Sequence, residues 1–163
     1  MTIQTVNSIL FATIRMATPL LLAGMAGLIS QQVGLLNIAL DGLMLFGAFF
    51  SVVFGAALGS PWLGLLMAIV FTSIITLIYA VVVIQFKSNL IVAGLAVNIL
   101  ALGLTSYLLV ILFNARGAYS PTGLQSIPRI ELPVIKKIPV LADILSGHGA
   151  LVYFSWILVV ATW

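Results

Sequence analysis

The chain of 163 residues contains no cysteine, which excludes disulfides and thiol chemistry and leaves redox compartment without a signature. Charge is almost as scarce. Three acidic and six basic residues make up 6% of the sequence, and the basic ones are too dispersed to form a nucleic-acid patch. The single histidine, His148, has no Cys, Asp or Glu at metal-ligand spacing, so it is expected at a membrane interface and no metal site is expected. No G-x-x-x-x-G-K-[ST] phosphate loop, H-E-x-x-H helix or nucleophile elbow occurs. Asp41 is the one acidic residue inside an apolar stretch, so an intramembrane carboxylate dyad is also excluded. Catalysis therefore has almost nothing to stand on, and no cofactor is implied. No Lys or Arg precedes Arg15, so a cleavable secretory signal with a basic start is not expected and the first apolar segment is expected to stay in the mature protein.

What remains is apolar. Hydrophobic residues are 63% of the chain and mean hydropathy is +1.34. They fall into blocks longer than about 18 residues, the length that marks membrane-spanning helices. The fold expected is all-α, a polytopic membrane helical bundle of four full spans plus the start of a fifth, forming one transmembrane domain over 1–163. The spans read as Asn7–Ile29, Gly34–Gly59, Trp62–Phe86 and Asn89–Asn114. From Gly149 the chain is apolar again but runs only 15 residues to Trp163, less than the roughly 20 needed to cross; truncation inside the fifth span is expected.

In the first span Pro19 is expected to kink the helix, and Gly24 and Gly27 leave room for a close neighbour. Arg15 fits best near the membrane edge. The third span carries no charge and reads as scaffold. Residues 115–148 are the one long polar connection, with Pro121, Pro128, Pro133 and Pro139 among scattered apolar residues. An ordered cap is expected there, with a short helix near Val140–Leu145.

The stretch Gly34-Leu-Leu-Asn-Ile-Ala-Leu-Asp-Gly-Leu-Met-Leu-Phe-Gly-Ala48 organises the chain. Asn37 and Asp41 are four residues apart, on one helical face. In a helix starting at Gly34, Asp41 lies roughly 10 Å along the axis. A carboxylate at such depth costs about 2.5–3.5 kcal/mol on insertion scales, so it should face protein or water. The plain structural alternative is capping, which favours acidic groups in a first turn and suits Asn37 better than Asp41. In the fourth span Gly94, Asn98, Ala101 and Thr105 form a second small or polar stripe. Asn98 lies roughly 14 Å from its span's start, and the two spans run in the same direction. Asp41 and Asn98 are thus expected to meet at similar depth and, with Asn37 and Thr105, to line a substrate pathway. For Asn98 the alternative is an interhelical hydrogen bond, typically worth about 0.6 kcal/mol. Gly42, Gly47 and Gly94 are expected at helix contacts.

The run Ala17-Thr-Pro-Leu-Leu-Leu-Ala-Gly-Met-Ala-Gly-Leu-Ile-Ser30, followed by Val33-Gly-Leu-Leu-Asn-Ile-Ala-Leu-Asp-Gly-Leu-Met-Leu-Phe-Gly-Ala-Phe49, resembles the ABC-importer permeases that take up branched-chain amino acids, simple sugars and nucleosides. It looks most like their nucleoside or simple-sugar branch. That branch reads S-G-x-x-N-I-G-x-E-G-x-M-x-x-G-A here; Val33, Ala39 and Asp41 stand where it has Ser, Gly and Glu. Ile91-Val-Ala-Gly-Leu-Ala-Val-Asn-Ile-Leu-Ala-Leu-Gly-Leu-Thr105 is similar to the branch's G-x-x-x-N segment.

The resemblance implies the N-terminal half of a multi-pass permease of the bacterial cytoplasmic (inner) membrane. Its implied partners are a cytoplasmic ATPase subunit, a second permease subunit forming a heterodimer, and an extracytoplasmic substrate-binding lipoprotein. The coupling loop for the ATPase would lie beyond Trp163. Residues 115–148 would be extracytoplasmic, although their four basic residues against Lys87 on the other side of span four would by charge alone place them inside. An ion-coupled secondary transporter with Asp41 as ion ligand and a non-transporting membrane scaffold remain the alternative readings.

Overall fold

The structure is a computed structural model, and it describes residues 3–117, 119, 129–130 and 148–162. The expected cap over 115–148 and its short helix lie almost wholly outside the described residues. The chain divides into two compact units, 1–28 with 127–163 and 29–126.

Four helices are long and apolar enough to cross a membrane: α1 (Ile3–Gln32), α2 (Leu40–Leu58), α3 (Pro61–Ile84) and α4 (Leu90–Phe113). A fifth, α5 (Ala150–Thr162), is apolar but short. The expected all-α membrane architecture of four spans and a partial fifth is what the chain adopts. Large apolar side chains such as Leu66, Ile69, Leu77, Ile99 and Leu102 are exposed on these helices, as a lipid-facing surface requires.

In the first unit, α1 runs unbroken through Pro19. Thr18 is buried, and its hydroxyl donates to the Ile14 carbonyl at 3.0 Å. Arg15 is exposed and lies roughly 26 Å from Gln32 along the axis at 1.5 Å per residue. Arg129–Ile130 pairs antiparallel with His148–Gly149 ahead of α5, and the buried Ser155 hydroxyl of α5 donates back to Val152 O.

The second unit is built around α2. The helix begins at Leu40, six residues later than the sequence reading placed it. Gly34 instead terminates α1: with φ +78° it lets Gly34 N–H donate to Gln31 O and Leu35 N–H to Ser30 O, the paired bonds of a Schellman motif. Any residue with a Cβ is strained at that φ. Gly59, at φ +64°, closes α2 in the same left-handed conformation. Pro61 then starts α3, where its missing N–H is not needed. Asn89 caps α4 through bonds from Ile91 N–H and Val92 N–H at 2.9 and 3.3 Å.

The packing of α2 is two-sided. Against α3, a Cβ built on Gly64 would lie 2.6 Å from Ser51 O and 2.7 Å from Gly55 Cα, so the two backbones touch where Ser51 and Gly55 oppose Gly64 and Ala68. Beside this crossing, Phe71 of α3 packs on Phe50 and Phe54 with ring centroids 5.2 and 4.8 Å away. At the other end, Ala39, Leu43, Tyr79 and Val83 form a buried cluster ringed by Leu35, Ile75, Leu90, Ala93 and Val97. The α1–α2 linker is thereby held between the end of α3 and the start of α4.

Candidate functional site

The α1–α2 linker, Val33–Ala39, is irregular backbone in an otherwise helical unit, so its polar groups need partners from outside the chain's own helices. Asn37 supplies one locally: its Oδ1 accepts from Ala39 N–H at 3.1 Å. Asn98 supplies two from α4. Its Oδ1 accepts from Gly42 N–H at 2.8 Å, and its Nδ2 donates to Ile38 O at 2.9 Å. A side-chain amide so placed imitates a peptide group, joining the Ile38 carbonyl of the linker to an orphan amide of the first α2 turn. The approach is close on both sides. A Cβ on Gly42 would fall 2.7 Å from Asn98 Oδ1 and 2.9 Å from its Cα, and one on Gly94 would fall 2.9 Å from Ile38 Cβ.

Asp41 lies between these contacts in sequence, and it is exposed. Because α2 starts at Leu40, Asp41 occupies the first turn rather than the second or third. Asn98 thus meets the main chain on either side of Asp41. The first turn is where the helix dipole favours a negative charge, and the side chain makes no cap bond. Along α2, Asp41, Leu45 and Ala48 form an open stripe, while Leu43 and Phe46 are buried on the other side and Gly42 and Phe49 are buried along its edge.

The stripe leads to a cavity of about 230 Å³ lined by Leu45, Ala48, Phe49, Val52, Thr105 and Tyr119 among others. Thr105 is itself buried, and its hydroxyl donates to Ala101 O at 2.6 Å, leaving only its lone pairs free to accept. Of the four residues singled out in the sequence, Asn37 and Asn98 meet at the α2 start. Asp41 begins the open stripe in that same first turn, and Thr105 lines the cavity about two helical turns beyond Asn98 along α4. Among the packing glycines, Gly42 and Gly94 are in tight contact, and a Cβ on Gly47 would make ordinary contact with Thr72 Oγ1 at 3.6 Å. Gly27 is half-buried and Gly24 exposed, with nothing described within 4 Å of where a Gly24 Cβ would lie.

Two features escaped the sequence reading. Gly64 and Tyr79 place α3 in close contact with α2, although α3 reads as featureless scaffold. The small pairs Ser51/Gly55 and Gly64/Ala68, each at i, i+4, are the signal that was available. Among the described residues no group of three His, Cys, Asp or Glu side chains is placed to hold a metal ion.

A family model described as branched-chain amino acid transport system / permease component matches residues 9–163. Three curated relatives stand out. The guanosine ABC transporter permease protein NupQ of Bacillus subtilis is 37% identical over 98% of this chain and 50% of its own length. The putative glucose ABC transporter permease protein TsgC13 of Haloferax volcanii is 29% identical over 95% of this chain and 46% of its own. The nucleoside ABC transporter permease protein NupC of Lactococcus lactis is 29% identical over 88% and 46%. The chain spans about half the length of the curated relatives it matches. No solved structure matches it.

Proposed function

This chain belongs to the branched-chain amino acid transport system permease family, a multi-pass membrane protein, and from that premise we propose that it is half of the permease subunit of an ABC importer for a nucleoside or simple sugar. The observation that carries the reading is the similarity over nearly the whole chain to permeases named for guanosine, nucleosides and glucose. The chain moves a solute and performs no catalysis of its own. A separate cytoplasmic ATPase drives it, a second permease subunit pairs with it, and an extracytoplasmic binding lipoprotein delivers the solute. Residues 115–148 face the extracytoplasmic side and help to seat that protein.

Within the chain, the solute path follows the open side of α2. Asp41 in the exposed first turn and Thr105 in the neighbouring cavity border it. Asn37 and Asn98 act one step removed, by holding the backbone from which Asp41 projects. A charge at this depth is tolerated because water in the path, not lipid, surrounds it.

The reading is tested with the full-length protein and its partners in right-side-out or reconstituted vesicles that have ATP inside and the solute and binding protein outside. Uptake of labelled guanosine that requires ATP and survives collapse of the ion gradients is the expected result. Gradient-driven uptake without ATP would instead make the protein a secondary transporter, and no uptake of nucleosides or sugars with all partners present would leave a scaffold. For the topology, a cysteine at Gln125 in this cysteine-free chain is expected to react with a membrane-impermeant thiol reagent in intact cells. Labelling only after the cells are opened would place the loop inside.

A further inference from the structure

Beside the α1–α2 linker, lined by linker residues and the end of α3, is a second cavity of about 120 Å³. Four polar side chains line it, Ser30, Asn37, Thr76 and Tyr79, among apolar ones from α3 and α4. Tyr79 is 9% exposed. Its hydroxyl oxygen is fully enclosed and has no hydrogen-bond partner among the described residues. A tyrosine in the aromatic belt of a membrane protein normally sends its hydroxyl to the headgroups; this one turns it inward, against the Ala39–Leu43 cluster.

We propose that this cavity is a hydration site, in which ordered water joins the Tyr79 hydroxyl to the polar side chains of the α1–α2 linker. A buried hydroxyl is rarely left unpaired, and four polar side chains interrupt the otherwise apolar wall that would keep a cavity dry. At about 30 Å³ per molecule, the space suits a few waters. Thr76 donates its hydroxyl proton to Thr72 O at 2.8 Å, so towards the cavity it accepts. Asn37 uses its Oδ1 on Ala39 N–H, so its Nδ2 remains to donate. Donors and acceptors are thus both present, as a bridging water requires. Supply is short as well: Tyr79 is five residues from the end of α3 at Ile84, roughly 8 Å from that end of the helix.

The consequence is an asymmetric mounting of the linker. Asn98 holds it to α4 by direct hydrogen bonds, while towards α3 its apolar contacts at Leu35 and Ala39 are joined by a polar link that runs through exchangeable water. The proposal concerns the linker alone and stands whether or not the solute path is as described above.

Two measurements on the full-length protein in nanodiscs test it. In hydroxyl-radical footprinting, Tyr79 is expected to be oxidised several-fold faster than Phe46, which is 1% exposed and lines no polar cavity, and Thr76→Val is expected to slow Tyr79 oxidation at least about twofold. In thermal unfolding, Tyr79→Phe is expected to lower Tm by about 2 °C or more, because a water-bonded hydroxyl is lost. A dry cavity gives the opposite pair: Tyr79 as protected as Phe46, and Tyr79→Phe unchanged or stabilised because an unpaired buried hydroxyl has been removed. Either of those results overturns the proposal. So does protection of Tyr79 by added free ribose, which would make the occupant a sugar.

Discussion

The two ends of α2 are held by different forces. Its far half, Ser51 to Gly59, is regular helix with its backbone bonds satisfied internally, and it packs on α3 through small residues and Phe rings alone. Its near end follows seven residues of irregular backbone, and there α4 contributes a side chain whose two amide ends are both consumed by main-chain groups. Lipid offers no partner to a broken helix, so polar side chains concentrate where the backbone is irregular. The polar stripe on α4 is thus chiefly a fastening for α2, and the open side of α2 is a different surface.

That contrast is sharpened first at the Gly64 crossing, where the effect of substitution is expected to be largest. Even Gly64→Ala places a methyl against backbone atoms that have no rotamer to yield, and overpacking of this kind costs about 1–3 kcal/mol. Gly64→Leu is expected to abolish stable folding. Gly24→Ala, with open space around it, is the control and should be neutral. Thermal unfolding in detergent measures both, and equal stability of the Gly64 and Gly24 variants would break the packing half of the comparison.

Asn98→Leu comes next. It leaves Gly42 N–H and Ile38 O without their partner, a loss of about 1–3 kcal/mol if the exposed groups find none and less if they do, as membrane hydrogen bonds often average only about 0.6. Unfolding midpoints and membrane abundance should fall, while transport per folded molecule is retained. The reverse outcome, normal abundance with lost transport, would return Asn98 to the solute path. Gly34→Ala, which forces a Cβ into the left-handed region, is expected to cost about 1–2 kcal/mol, measured in the same way.

These cases also mark what was legible in the sequence. Hydrophobic runs place all five helices, because span length is dictated by bilayer thickness. Gly42 and Gly94, small residues in apolar spans, were legible as places where a neighbour could come close, and both lie in tight contact. The start of α2 could not: Gly34 and Asn37 fit a helix beginning at Gly34 as well as they fit a Schellman stop followed by a linker, and only tertiary contacts with α3 and α4 decide between them. That six-residue difference moves Asp41 from the second or third turn to the first. The inward-facing hydroxyl of Tyr79 was equally unreadable, since an interfacial tyrosine carries the same pattern whichever way it points.

The smallest effect on stability is expected at Asp41. Its side chain makes no cap bond, and Asn serves a helix start about as well as Asp, so Asp41→Asn should change stability by no more than a few tenths of a kcal/mol. Its effect on transport should be the opposite. The decisive measurement is uptake normalised to membrane abundance in the full-length protein with its partners, for Asp41→Asn and Asp41→Glu side by side. If the exposed carboxylate borders the path, Asn assembles normally and imports poorly, while Glu, which keeps the charge, retains activity. Wild-type uptake by Asp41→Asn at equal abundance would contradict the account and leave Asp41 as a helix-start residue only.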